Sequence, residues 1–188
     1  MTIIKKERLR THLFFIVSLI AVYFILLHGL SLHKAACRPR TEYKLSETTI
    51  HELFVEAENK EDVDEIIKFC CDFVCKRLSF HYKNDLNNGK ANCVGYAQYT
   101  SQVLNQVFSL KGISCTSRPV VGSVYLYGVN LHPILLSILP KNQSSFFKDH
   151  DFVEIVFEDG SKKYVDTSLQ DLTGKMISSE PKMSASAY

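Results

Sequence analysis

From Leu13 to Leu30 the chain runs for 18 residues without an Asp, Glu, Lys or Arg, in LFFIVSLIAVYFILLHGL. As a helix that length just spans a bilayer, which takes about 20 apolar residues. Only Ser18 and His28 interrupt it, so it lacks the polar face that a surface-packed helix carries. A cleaved signal peptide is the alternative, but its apolar region is shorter, about 7–15 residues, and ends on small neutral residues. Here SLHKAAC follows, with His33 and Lys34 at those positions, and Lys34 also spoils a lipoprotein reading of KAAC at Cys37. The pattern predicts an uncleaved transmembrane anchor over 13–32 behind a basic flank, 1–12. Lys5, Lys6, Arg8 and Arg10 precede the span, and Lys34, Arg38 and Arg40 follow it. The positive-inside rule then favours a cytoplasmic N-terminus and a membrane-attached domain outside the cytoplasm.

Residues 33–44 are polar, contain Pro39 and read as a tether; the patterned domain is expected over 45–175 and a loose polar tail over 176–188. SETTIHELFVEA offers Ser46 or Thr48 as a helix cap. In KEDVDEIIKFCCDFVCKRLSF, Val63, Ile66, Ile67, Phe69, Cys70, Phe73, Val74 and Leu78 recur at helical spacing. Acids lead that segment and bases close it, as the helix dipole favours. The Asn- and Gly-rich HYKNDLNNGKAN is a loop. From Cys93, the residues Ala97, Thr100, Val103, Leu104, Val107 and Phe108 again follow a helix, with Gly112 as its stop. ISCTSRPVVGSVYLYGV reads as extended, Pro119 bounding it or marking an edge strand. NLHPILLSILPKNQSSFFKD is part helix, part surface excursion. HDFVEIVFEDGSKKYVDTS is two β-prone runs around Glu158-Asp159-Gly160-Ser161, a hairpin. Helices followed by antiparallel strands make an α+β fold, with helices packed on one sheet.

The 188 residues suffice for one domain with a core. A net charge of +2 with no basic stripe does not imply nucleic acid as a partner. The six cysteines leave the redox compartment open. Cys70, Cys71 and Cys75 cluster in KFCCDFVC with His81 nearby, but no CxxC pair exists and Cys70 leaves the helix face that Cys71 and Cys75 share. Buried free thiols are the better reading, so neither a metal nor another cofactor is expected.

Chemistry enters with the order of three residues. A thiol attacks as its thiolate, which helix N-terminal N–H groups and a neighbouring imidazolium favour. Cys93 opens a helix; His150 begins the first hairpin strand and Asp166 ends the second, both at the end away from the turn. Their separation of 16 residues is even, so a turn with an odd residue count, or a bulge, puts them on one face of neighbouring strands. His150 then serves as acid and base, Asp166 holds its imidazole, and the Cys93 N–H with one further donor meets the oxyanion.

GKANCVGYAQYTSQVL, HDFVEIVFEDG and KYVDTS together resemble the transglutaminase-like superfamily, whose papain-like core orders its triad Cys, His, Asp. The cysteine block matches at Cys93, Gly95, Tyr96 and Ala97, the histidine block at His150, Phe152, Val153 and Glu154, and the aspartate block at Val165, Asp166 and Thr167. GISCTSRPVVGSV is similar to the strand that follows the family's cysteine helix, at Gly112, Ile113, Arg118 and Gly122. The resemblance covers about residues 78–170 and suggests a small, bacterial-type, membrane-anchored member. It implies catalytic Cys93, His150 and Asp166 and a cysteine peptidase or amidase acting on a peptide or protein. A catalytically inactive binding or scaffold module is the alternative. The chain has no Trp, so the tryptophan oxyanion donor of the cross-linking enzymes is missing, and Tyr82, Asn87, Asn88 and Asn92 are the candidates for its place. The calcium sites and extra β-domains of those enzymes have no counterpart either, which favours hydrolysis over cross-linking.

Overall fold

The computed structural model describes residues 2–37, 40, 43–138 and 149–180, the side chains of 2–11 and 136 excepted. Its order is α1 (Thr2–His28), β1 (Leu30–Ala36), α2 (Glu47–Ala57), α3 (Val63–Arg77), β2 (Ser79–Phe80), β3 (Lys90–Ala91), α4 (Cys93–Lys111), β4 (Thr116–Leu126), β5 (Val129–Asn130), α5 (Leu131–Ile138), β6 (His150–Val156), β7 (Lys162–Asp166), α6 (Thr167–Thr173) and β8 (Ile177–Ser179). The fold is mixed α+β.

Three helices begin on caps written into the sequence. Ser46 accepts from the Thr49 N–H, Asp62 from that of Glu65, and Asn92 from those of Val94 and Gly95. Helix α4 stops where Gly112 turns left-handed at φ 65°; its N–H and that of Ile113 return to the Phe108 carbonyl.

The main sheet runs β1-β4-β6-β7-β8, with β5 paired to β4, and all its pairings are antiparallel. It curls until its edges meet: the Leu32 N–H donates to Ser179 Oγ, which donates back to the Leu32 carbonyl. Curling buries both faces, because alternate residues of each strand point to opposite sides. Val153, Ile155 and Val165 join Ile67, Phe73, Val103, Leu104 and Phe108 of α3 and α4 in the larger core. Phe152 and Tyr164 face the inside of the curl with Leu32, Val120, Val124 and Ile177. Pro119 lies in the half of β4 beyond the end of β1, whose pairing stops at Val121, so its missing N–H costs no bond to a neighbour on that side.

The expected membrane-spanning helix needs correction: among the described residues no helix is long and apolar enough to cross a membrane. The uncharged run is divided. Helix α1 ends at His28, and Leu30 enters β1, where the sequence reading placed first the anchor and then the tether. The 16 helical residues from Leu13 to His28 rise about 24 Å, short of a hydrocarbon core of about 30 Å. The last turns of α1 are instead fixed to the domain. Tyr23 Oη donates to the Thr173 carbonyl, Tyr127 Oη to that of Ile25, and Leu27 is buried. The side chains of the basic residues 5, 6, 8 and 10, together with Arg38, Pro39, the outer part of the surface excursion (139–148) and most of the tail (181–188), lie outside what is described of the chain.

Gly122 is what lets β1 close on β4. A Cβ there would stand 2.0 Å from the His33 carbonyl oxygen, a backbone atom that cannot step aside. Gly122→Ala is expected to cost about 1–3 kcal/mol, read as a lower urea midpoint. An unchanged midpoint contradicts this account of the β1–β4 contact.

The inner face holds a buried acid bound by cations. Glu154 is 0% exposed and receives Lys34 Nζ at 2.7 Å, with Arg118 Nε at 2.7 Å and Nη2 at 2.6 Å. Burial pushes its carboxyl up, and the two cations outweigh that and hold it below the ordinary carboxylate range.

Candidate active site

The start of α4 is built by the loop before it. Asn92 Oδ1 accepts from Val94 N at 3.0 Å and Gly95 N at 3.3 Å, while Asn92 Nδ2 donates to the Tyr82 carbonyl. Asn84 Oδ1 accepts from Asn92 N at 2.8 Å. It fits there because residue 95 is glycine; a Cβ would meet that oxygen at 2.5 Å. Cys93 is thereby the first helical residue, 7% exposed, and its N–H meets no acceptor among the described residues.

His150 opens β6 opposite Gly122, and Asp166 closes β7. The turn joining the strands is residues 157–161, five residues closed by Phe157 N–H to the Ser161 carbonyl, with Gly160 at φ 80°. Val156 pairs with Lys162 and Val153 with Val165, so Asp166 falls beside His150 on the inner face. His150 Nε2 is 2.5 Å from Asp166 Oδ2. The other carboxylate oxygen accepts from Ser168 Oγ at 2.7 Å and Leu169 N at 3.0 Å, so Asp166 also caps α6. With Nε2 committed, Nδ1 is the ring nitrogen left for Cys93, which lines the same cavity as His150 and helps to raise its pKa. The structure thus brings the three predicted residues together in the order Cys93, His150, Asp166.

The electrostatics follow from that arrangement. Burial disfavours an imidazolium at residue 150, yet the Asp166 carboxylate, its hydrogen bond and the nearby Cys93 outweigh it, holding the pKa well above the ordinary 6.5. Burial likewise opposes the Asp166 carboxylate, and His150, Leu169 N and Ser168 outweigh it, keeping that group below the ordinary range. All six cysteines are free thiols. Burial pushes Cys70 and Cys75 up to about 12 and Cys71 well above the ordinary thiol value, with no cation to offset it. Cys75 Sγ donates to the Thr167 carbonyl at 3.5 Å. His81 stacks on Tyr82 at the surface and accepts the Lys83 N–H. Among the described residues no group of three or more His, Cys, Asp or Glu is placed to hold a metal ion.

Cys93 and His150 border one cavity, walled by residues of β2, β4, α5 and α6. None of the four candidate oxyanion donors lines it. Asn92 Nδ2 is given to Tyr82, Asn88 Nδ2 to Asp85, and Tyr82 and Asn87 are exposed. His132, which no sequence motif marked, does line it. Its ring lies 6.4 Å from that of His150, and Nε2 accepts the Val124 N–H at 3.2 Å. Tyr96 is buried with its hydroxyl donating to Asp171 at 2.7 Å; Asp171 also accepts the Phe80 N–H and so holds one cavity wall.

Compared with family models, curated proteins and solved structures, the chain matches none of them.

Proposed function

We propose that this protein is a cysteine hydrolase of the peptidase or amidase type, using a transglutaminase-like Cys93–His150–Asp166 triad. The observation that carries the reading is the hydrogen-bonded His150–Asp166 pair, with His150 and Cys93 bordering one cavity. Cys93 Sγ, as thiolate, attacks the carbonyl carbon of the substrate, and the oxyanion takes the Cys93 N–H. The His150 imidazolium gives its Nδ1 proton to the leaving amine as the C–N bond breaks, leaving a thioester. Water, losing a proton to the same nitrogen, attacks the thioester carbonyl; the C–S bond breaks and the acid leaves. Asp166 stays ionised throughout and fixes the ring by Nε2. An amine in place of water would complete acyl transfer, and the triad alone does not separate the two outcomes.

The test is alkylation by iodoacetamide near neutral pH, each cysteine being followed by mass spectrometry. Cys93 is expected to react fastest among the cysteines of the folded core. His150→Ala is expected to slow it about 10- to 100-fold, by removing the imidazolium that supports the thiolate. A rate equal to that of Cys115, or one indifferent to His150→Ala, removes the proposal. It would favour the second reading, a binding module without turnover, which draws support from the lack of a side-chain donor at the four expected oxyanion positions.

A further inference from the structure

The cavity beside Cys93 has a shape and a lining that select a substrate class. Its volume is about 140 Å³. Six apolar side chains make most of its wall: Phe80 from β2, Val124 from β4, Leu131 and Leu135 from α5, and Leu169 and Leu172 from α6. The polar atoms among them are largely engaged. Ser168 Oγ donates to Asp166, His132 Nε2 accepts from Val124, and His150 is held by Asp166. A polar substrate group entering here would lose water and find few partners, whereas an apolar one loses nothing and covers the leucines. A dry cavity of about 150 Å³ lined by such side chains takes a benzene-sized guest. Asp149 is the one carboxylate on the wall, and it makes a basic side chain the competing occupant.

We propose that this cavity is a subsite for a single uncharged apolar side chain, of leucine or phenylalanine size, next to the carbonyl that Cys93 attacks. The inference rests on Cys93 being the nucleophile, and it adds the specificity that the triad alone leaves open. Helix α6 supplies both the group that binds Asp166 and two leucines of the wall, so the same element sets the triad and shapes the subsite.

Chloromethyl ketones of N-acetylated leucine, phenylalanine, glycine, aspartate and lysine test it, the thiolate displacing chloride to form a thioether. Each rate of Cys93 alkylation is divided by that variant's own iodoacetamide rate. The leucine and phenylalanine reagents are expected to exceed glycine by about tenfold or more, the discrimination an apolar pocket supplies for lost methylenes, and to exceed aspartate and lysine as well. Leu172 is 60% exposed at the cavity rim, so Leu172→Asp tests the wall with little risk to folding, and it is expected to erase most of the leucine preference. Leu172→Ala, the milder change, is expected to reduce it in part. Equal rates for all five reagents, a preference for lysine or aspartate, or a leucine preference untouched by both substitutions each overturn the subsite. If Cys93 still alkylates rapidly with iodoacetamide in those cases, the nucleophile assignment stands; if it does not, both fall together.

Discussion

Cys93→Ser is expected to lower kcat/KM for p-nitrophenyl acetate by about 10³-fold or more, the scale seen when a nucleophile is removed from a catalytic unit. The reason lies in His150. Its imidazole is held well above the ordinary histidine value by Asp166 and Cys93, so near neutral pH it stands as an imidazolium, ready to give a proton. A thiolate can sit beside that cation. A serine hydroxyl cannot ionise there, and an imidazolium cannot act as its base. Cys75→Ser is the control, because that thiol is pushed up to about 12 by burial, is bonded to the Thr167 carbonyl and does not line the cavity. Its activity should match the parent's. Equal losses in the two variants, or a Cys93→Ser enzyme within a few-fold of the parent, would show that ester cleavage runs elsewhere on the molecule.

Asp166→Asn is expected to cost about 3–5 kcal/mol of folding stability, the range for breaking one side of a buried charged pair. Asparagine keeps an oxygen for the Leu169 N–H but leaves the His150 cation buried without its counter-charge. The pH dependence follows from the directions of the two shifts. Asp166 lies below its unfolded value, so its contribution is complete above about pH 3.9 and fades as pH falls through the lower folded value. His150 lies above its unfolded value, so its contribution is complete below about pH 6.5 and fades as pH rises through the higher folded value. The gap between parent and variant in urea titrations should be widest between roughly pH 4 and 6.5 and narrow on either side. A gap that grows steadily toward alkaline pH would mean that His150 is neutral in the folded protein and that the pair is not ionic.

The features legible in the sequence are those whose causes lie within a few residues. Ser46, Asp62 and Asn92 cap helices by reaching two or three residues ahead, and Gly112 ends α4 by its own left-handed turn. The hairpin was readable for the same reason, but its turn of five residues, the odd number that puts His150 and Asp166 on one face, is set by the strand register. Position along the chain therefore determined that Cys93 opens a helix and that a His and an Asp lie at the same end of a hairpin. What brings the helix start to the strand ends is the packing of α4 on β4 and β6, a long-range contact that no local pattern records.

Tertiary structure alone decided the rest. In the apolar run from Leu13 only Gly29 marks the point where helix gives way to strand, and a lone glycine does not by itself tell a helix stop from a residue within a span. Leu30–Ala36 becomes β1 because Gly122, some ninety residues further on, leaves room for the His33 backbone. Lys34 reads as a charge flanking an apolar segment until the sheet curls and delivers it, with Arg118, to the buried carboxylate of Glu154. His132 and the leucines of α5 and α6 become one cavity wall only when their elements close over Cys93. Caps and turns are satisfied by neighbours in sequence, so residue order suffices to specify them. Paired charges, strand edges and cavities are satisfied by neighbours in space, and only the closed sheet supplies those.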